Sequence, residues 1–313
     1  MNPKRLKTPV SVLVLTRNEE ANIAACLESV DWASEVFVVD SFSTDRTVEL
    51  AERLGARIYQ HPFETCAAQW NWALDNIPFA NDWVLVLDAD ERIPQALAGE
   101  IAAVVNGARQ DCTGYYVKWR FFFFGKWLKH GGLYPTWVVR LFRRSAGRFG
   151  RHGISEHLIL DGKRGYLQTA FDHCDNKPLS DWIQKHNRYA GFEAEQYVRE
   201  QFGRTEARSI QGRFWGTQRE RKQWIKLKVW NRLPLLLRPF LFFFRNYFLK
   251  LGFLDGRAGF IYHVLWSFWF PFLVSARILE KQHRARRPGE FRVTAPVAMP
   301  VAAAGSPARD PGN

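Results

Sequence analysis

A chain of 313 residues that is 47% hydrophobic and 24% charged can bury a sizeable core, which excludes an intrinsically disordered chain. A formal net charge of +13 and a pI near 9.8 imply an acidic partner, and nucleic acid, an anionic membrane surface and phosphorylated substrates all meet that demand. Cys26, Cys66, Cys112 and Cys174 form no CxxC pair, which argues against a zinc knuckle or a disulfide framework and fits a reducing compartment.

The opening MNPKRLKTPVSVLVLTRNEE has a basic start, but its apolar run is short, lacks a small-residue cleavage site and meets Arg17, Glu19 and Glu20 at once. It reads as a first strand, Val10 to Leu15, rather than a signal peptide. Glu19 to Val30 then shows helical spacing (Ile23, Leu27, Val30), and Glu35 to Val39 is a second apolar run ending at Asp40. SFSTDRTVELAERLG offers Ser and Thr caps, a helical pattern and a closing Gly55. Ala56 to Tyr59 is a third strand, Cys66 to Leu74 a helix, and Val84 to Leu87 a fourth strand. This alternation predicts an α/β fold with a mostly parallel sheet covered by helices, and ligands bound beyond the carboxyl ends of the strands. Asp40 and Asp88 stand at such ends.

The fourth strand runs straight into acids: WVLVLDADE. Clustered carboxylates repel one another unless a cation holds them, and hard oxygen ligands favour Mg²⁺ or Mn²⁺. Magnesium keeps few protein carboxylates and completes its shell with water and substrate phosphates, so a diphosphate is the implied guest. A solvated turn after a strand is the bland alternative for any isolated DxD.

Taken together, VLVLTRNEEANIAACLESV, EVFVVDSFSTDRTVELAERLGARIYQHPF, QWNWALDNI and WVLVLDADERI resemble glycosyltransferase family 2, whose fold is called GT-A, a Rossmann-like nucleotide-sugar-binding domain. Bacterial lipopolysaccharide core β-glucosyltransferases and related membrane-associated sugar transferases are the nearest in pattern. The resemblance runs from about Val10 to His173 and more loosely through the hydrophobic C-terminal stretch. It implies that Thr16, Asn18, Glu19 and Asp40 hold the base and ribose, a task suited to hydrogen-bond acceptors. A turn and helix cap explain Thr16 and Asn18 nearly as well. Gln69 and Asn71 match positions facing the nucleotide sugar, with a solvent-facing helix surface as the alternative. Asp88 is expected to reach the ribose or donor sugar, and Asp90 to bind the metal that bridges the phosphates.

In GYYVKWRFFFFGKWLKHGGLYPTWVVRLFRR, Tyr115 to Phe124 reads as a strand, and Gly125, Gly131 and Gly132 permit turns. By the resemblance, Trp137 and Arg140 serve the acceptor side, and Arg140 can meet a phosphate bidentately. A solvated basic strand is the alternative. Relatives carry His-Glu where this chain has Ser155-Glu156-His157, so Glu156 aligns with the acid that takes the acceptor's proton, although the preceding His is replaced. His157 is its rival. His173 matches a histidine that contacts the metal or diphosphate in some relatives. The implied chemistry is a single displacement with inversion, transferring a hexose, glucose from UDP-glucose by the resemblance, to a lipid-linked saccharide such as the lipopolysaccharide core.

Beyond this, RKQWIKLKVWNR interleaves cations with Trp and aliphatic residues, as a helix in the headgroup zone does. Leu233 to Leu251 is intensely apolar but holds Pro234, Pro239, Arg238 and Arg245, and Ala258 to Ala276 only just reaches the length of a span. Two arginines at full membrane depth are costly, which favours shallow embedding over spanning or re-entrant helices, and the many aromatics beside Lys and Arg argue against ordinary buried core helices. Lys281 to Arg287 supplies a basic flank for anionic lipid. The expected organisation is a catalytic domain over residues 1–220, a membrane-associated helical region over 221–287, and a disordered Pro/Ala/Gly-rich tail over 288–313. The expected location is the cytoplasmic face of the inner membrane, peripheral or monotopic or with short membrane helices.

Two rivals come from other classes. Phosphohydrolases also open with DxD after an apolar strand, but Glu91 and Arg92 stand where their usual Thr or Val and Gly belong. A non-catalytic membrane- or nucleic-acid-binding protein uses similar cations and aromatics, yet acids at the strand ends repel nucleic acid where a groove belongs, so none is expected as a partner.

Overall fold

The computed structural model describes residues 7–107, 111–152, 155–201 and 233–286. The amphipathic stretch from Arg221 to Arg232 and the tail from 288 onward therefore lie outside the described residues.

The alternation read from the sequence is present. Strand β1 (Thr8–Thr16) leads to α1 (Ile23–Glu28), β2 (Ala33–Asp40), α2 (Thr47–Arg53), β3 (Arg57–Gln60), α3 (Cys66–Asn76) and β4 (Trp83–Asp88). Helix α1 is shorter than its apolar pattern. Helix α2 starts at Thr47 rather than at the Ser and Thr caps before it, because Asp45 accepts the Thr47 backbone N–H at 3.0 Å and leaves Ser41–Asp45 as a loop. Thr65 caps α3 by accepting the Ala68 N–H at 3.1 Å.

Successive residues of a strand face opposite sides, so β1 feeds two cores. Val10, Val12 and Val14 pack with Ile23 and Leu27 of α1 and, from α4 (Gln95–Asn106), with Leu97 and Ile101. Leu13, with Val84 and Val86, faces Trp70, Ala73 and Leu74 of α3 on the other side.

The sheet is mixed rather than mostly parallel, which corrects the sequence expectation. It continues through β5 (Glu91–Arg92), β6 (Cys112–Phe123), β7 (Lys126–Leu128), β8 (Thr136–Arg143) and β11 (Lys163–Cys174), in the order β3-β2-β1-β4-β8-β6-β11-β5 with β7 beside β6. The pairs β2–β3, β1–β2, β1–β4 and β6–β11 are parallel, whereas β4–β8, β6–β8, β6–β7 and β5–β11 are antiparallel. The physical reason is the short return from β6 to β8, which lets β8 slot antiparallel between β4 and β6 without a crossover helix. A separate hairpin pairs β9 (Gly147–His152) with β10 (Ser155–Leu160).

After β11 comes α5 (Leu179–Gln201). The C-terminal helices are α6 (Arg238–Phe244), a π turn (Arg245–Leu249), a 3-10 turn (Gly252–Asp255), α7 (Gly256–His263), a second π segment (Val264–Trp269) and α8 (Phe270–Arg286). Among the described residues, one helical run, Gly252–Ala285, is long and apolar enough to cross a membrane by length and composition. Arg238 is buried, and its guanidinium donates to the Leu233 carbonyl at 3.1 Å. Tyr262 and Ala258 of α7 join Phe123 and Leu128 of the sheet in a third core. Gly131 has φ +69°, and a Cβ there would lie 2.1 Å from the His263 ring, so the turn after β7 needs glycine both for its backbone and for its approach to α7.

Candidate active site

The carboxyl ends of β1, β2 and β4 lie side by side, with Thr16 in register with Asp40 and Leu15 with Asp88. Thr16 Oγ1 donates to Asp40 Oδ1 at 3.1 Å, and Ser43 donates to the same carboxylate through its hydroxyl and, at 2.8 Å, through its backbone N–H. Asp40 is fully buried. It organises the loop after β2, which in turn holds the loop after β1. Asn18, at φ +54°, accepts the Thr44 N–H at 2.8 Å, and Thr47 accepts the Glu19 N–H at 2.7 Å.

The three acids after β4 have different surroundings. Asp88 is half-exposed and accepts from Arg140 Nη2 at 2.8 Å; the same nitrogen meets Glu91, which is fully buried. Glu91 also accepts the Asp88 N–H at 3.2 Å. The protein packed round the rim works to raise the Asp88 carboxyl even though half its side chain meets solvent, but Arg140, then His173 and Lys185, hold it below the ordinary carboxylate range. Burial pushes Glu91 well up, against the pull of Arg140. Burial opposes the charge on Arg140 too, yet Glu91 and Asp88 raise its pKa and keep it protonated. A single nitrogen of Arg140, Nη2, thus serves two carboxylates, while its Nε is buried without a hydrogen-bond partner.

Asp90 follows in the turn. Its Oδ2 lies 3.4 Å from His173 Nε2, and its carbonyl accepts the Cys174 N–H at 2.8 Å. The short pairing of β5 with β11 puts His173 opposite Glu91 and so fixes this approach. Trp119 meets the His173 ring edge-on at 5.0 Å and Phe121 lies at 5.5 Å, while His173 Nδ1 is buried without a hydrogen-bond partner.

On the near side, Glu19 pairs with Lys177 at 2.6 Å and accepts from Asn22 at 2.9 Å; Asn22 also donates to Asp175 at 2.9 Å. Burial pushes Glu19 up despite Lys177. Lys185 on α5 feels Asp90, Asp175 and Glu19, which with Tyr189 raise its pKa although burial works the other way.

Thr16, Glu19, Asp40, Asp88, Asp90, Arg140 and His173 therefore gather at one rim of the sheet, with Asn18 in the loop beside them. Gln69 reaches the rim through Ser41, whose N–H donates to the Thr16 carbonyl at 2.9 Å, whereas Asn71 is taken up by the backbone of Phe149. Gln69 is buried, 2.8 Å from His61 Nδ1 and donating to Ser41 Oγ at 3.1 Å. Asn71 clamps the backbone of Phe149, donating to its carbonyl at 2.8 Å and accepting its N–H at 2.9 Å. Trp137 stacks edge-on against Tyr166. Glu156 is in β10, in register with Arg151, and its side chain, like that of His157, lies outside the described residues. Sequence reasoning missed Glu91, Asn22, Asp175, Lys177 and Lys185. The third acid of WVLVLDADE and the DHCDNK run were the available signals.

Among the described residues, no group of three or more His, Cys, Asp and Glu side chains forms a ready cage for a metal. Asp90 and His173 nevertheless fit one divalent ion. Two ligands about 2.1 Å from an ion at a right angle are about 3 Å apart, close to their spacing here, and two protein ligands leave positions for water and phosphate oxygens.

A half-parallel α/β sheet with a carboxylate-rich rim at its strand ends is an architecture that binds ligands beyond the carboxyl ends of its parallel strands. The profile of glycosyl transferase family 2 matches residues 11–174, just over half of the chain, and the chain belongs to that family and is a glycosyltransferase. It is 26% identical over 289 residues to the lipopolysaccharide core biosynthesis glycosyltransferase LpsC of Rhizobium meliloti, covering 90% of this chain and 96% of that one. It is also 26% identical to the uncharacterized glycosyltransferase RT0209 of Rickettsia typhi, covering 88% and 89%. Among solved structures, S. aureus TarS 1–349 is a distant likeness at 17% identity and TM-score 0.38, covering 91% of this chain and 94% of that one. Glucosyl-3-phosphoglycerate synthase from Mycobacterium tuberculosis, in complex with Mn²⁺, UDP and glucosyl-3-phosphoglycerate, is another at 18% identity and TM-score 0.37, covering 56% and 75%.

Proposed function

We propose that the chain is an inverting glycosyltransferase that moves a hexose, glucose from UDP-glucose, to a lipid-linked saccharide such as the lipopolysaccharide core. The observation that carries this reading is the approach of Asp90 to His173 beside an Asp88 held by Arg140, at the rim where nucleotides bind in such sheets. The name of the Rhizobium relative, which spans nearly all of both chains, supports the acceptor class.

Asp90 and His173 would hold Mg²⁺ or Mn²⁺, which when bound supplies positive charge against the departing diphosphate. Arg140 fixes the Asp88 carboxylate in the ionised form, ready to accept from a ribose or donor-sugar hydroxyl. Thr16, Asn18, Glu19 and Asp40 shape the pocket for base and ribose, the first two largely through the loop they brace. Glu156 takes the proton of the acceptor hydroxyl as that oxygen attacks the anomeric carbon from the face opposite the diphosphate, which inverts the configuration. We assign catalysis to residues 1–220 and membrane association, on the cytoplasmic face of the inner membrane, to 221–287.

Purified protein incubated with a panel of nucleotide sugars and a lipid-linked saccharide, with and without Mn²⁺ or Mg²⁺, tests the reading through the nucleoside diphosphate released. Metal-stimulated release from one UDP-sugar, with the sugar recovered on the acceptor in inverted configuration, is expected. Release of phosphate from simple phosphoesters instead would overturn it.

A further inference from the structure

The run Gly252–Ala285 has the length of a membrane span, yet it is fastened along its course to the domain that carries the catalytic rim. At its start, the Asp255 carboxylate accepts the His130 N–H at 2.9 Å and lies 2.8 Å from His130 Nδ1, while the Gly131 N–H donates to the Lys250 carbonyl at 2.8 Å. Tyr262 packs on Phe121 at 4.9 Å. Farther on, Trp266 and Phe270 meet His186 of α5, and Arg277 donates to Asn187 of the same helix at 2.6 Å. Helix α5 is itself anchored to the catalytic rim, because Asn22 accepts the Asn176 N–H just before it at 2.8 Å. A span needs about 20 residues crossing about 30 Å of hydrocarbon. The two sets of anchors leave no stretch of that length clear of the domain.

The outward side of the same region is apolar. Phe244, Phe248, Leu249, Leu254 and Phe260 are 47–67% exposed, and the rings of Phe248 and Phe260 gather around Tyr247 at 5.1 and 5.7 Å. Phe124, 60% exposed at the β6–β7 turn, adds a residue from the sheet itself. Exposed large apolar residues of this density mark an interaction surface. From Leu233 to Leu279 the only acid is Asp255, which is buried against His130, while Arg245, Lys250 and Arg257 are exposed. Aromatic and aliphatic side chains rimmed by cations without acids suit an anionic leaflet.

We propose that this foot dips into one leaflet of an anionic bilayer and that the helical run never crosses it, so that everything on both sides of the run stays on one face. The proposal deepens the membrane association assigned above and is independent of the transfer chemistry. Phe121 links His173 to Tyr262, the buried face of the same helical run, so the catalytic rim and the foot share one packed body.

The test adds the full chain to preformed vesicles of phosphatidylcholine with phosphatidylglycerol. With Cys66→Ser as background, Lys126→Cys and His283→Cys are each probed with a membrane-impermeant maleimide. Both are expected to react from outside; a position 283 protected until the vesicles are opened would overturn the proposal. A fluorophore on Leu249→Cys is expected to be quenched most by bromines near the headgroup end of the chains, and strongest quenching by bromines at the chain ends would also contradict it. Phe248→Ser with Leu249→Ser is expected to lower vesicle flotation at least 10-fold with an unchanged melting temperature; unchanged flotation, or no flotation of the unaltered chain, sinks the idea. Nucleotide-sugar turnover measured on the same samples keeps the two readings apart, since a chain that transfers no sugar still reports its sidedness.

Discussion

Asp90 Oδ2 and His173 Nε2 stand 3.4 Å apart although one follows β4 and the other lies near the end of β11, brought together by the two-residue strand β5. Neither side chain alone makes a site. Together they offer one hard and one borderline donor close to each other, the pair that the proposed function gives to a divalent ion. Asp90→Ala and His173→Ala are each expected to lower metal-stimulated turnover by about 100-fold or more, the scale for losing electrostatic support of a transition state. Their activity is expected to respond less steeply to added Mn²⁺, which a metal titration of the initial rate reads directly.

Arg140 carries a different load. Removing it as Arg140→Met leaves the buried Glu91 without its cation, and breaking such a pair costs about 3–5 kcal/mol. Chemical denaturation is expected to show that loss, and the double variant Arg140→Met, Glu91→Leu to recover part of it. If Arg140 instead served only a phosphate, the single variant would weaken donor binding and leave stability unchanged.

Asn71 was expected, by resemblance, to face the nucleotide sugar. Its two hydrogen bonds to Phe149 make it a brace between α3 and β9. Asn71→Ala is expected to cost about 1–3 kcal/mol of stability by leaving those backbone groups unpaired. The KM for the nucleotide sugar is expected to stay within about 3-fold of the original, since one missing donor hydrogen bond would shift it further.

Much of this was legible in the sequence, and the reasons differ by element. The first four strands and their helices announced themselves because apolar runs and helical periods alternate cleanly from Val10 to Leu87, and Asp40, Asp88 and Asp90 then fall at strand ends by topology alone. Strand direction was not legible: β6 and β8 are largely half-buried runs whose apolar pattern is the same in either orientation. The contacts of Arg140 with Asp88 and Glu91 were not legible because these partners are distant in sequence. Gln69 and Asn71 sit on a helix whose polar residues turn inward to cap neighbouring loops, which helical spacing cannot reveal.

His263 gives the structure a pH dependence. Burial pushes its imidazole down to about 4, with Asp255 pulling the other way, so the fold holds it neutral. A group depressed in the folded state contributes stability that is complete above its ordinary value near 6.5 and is lost as pH falls from there toward 4. Thermal melts across that window are expected to show a loss of at most about 3 kcal/mol. His263→Phe or His263→Asn is expected to flatten the slope.

Glu156 is proposed as the base, so Glu156→Gln is expected to lower kcat by about 10²- to 10⁴-fold while leaving nucleotide affinity in place. A variant that keeps its rate would transfer the role to another acceptor, and His157→Gln is the paired measurement.

Titration calorimetry of UDP into the protein, with and without Mn²⁺, bears most directly on the central claim that a cation and a diphosphate complete the acid-rich rim. Binding is expected to tighten at least 10-fold, about 1.4 kcal/mol, when Mn²⁺ is present and to lose that gain in Asp90→Ala. Equal affinity with and without the ion in the unaltered protein would contradict the claim.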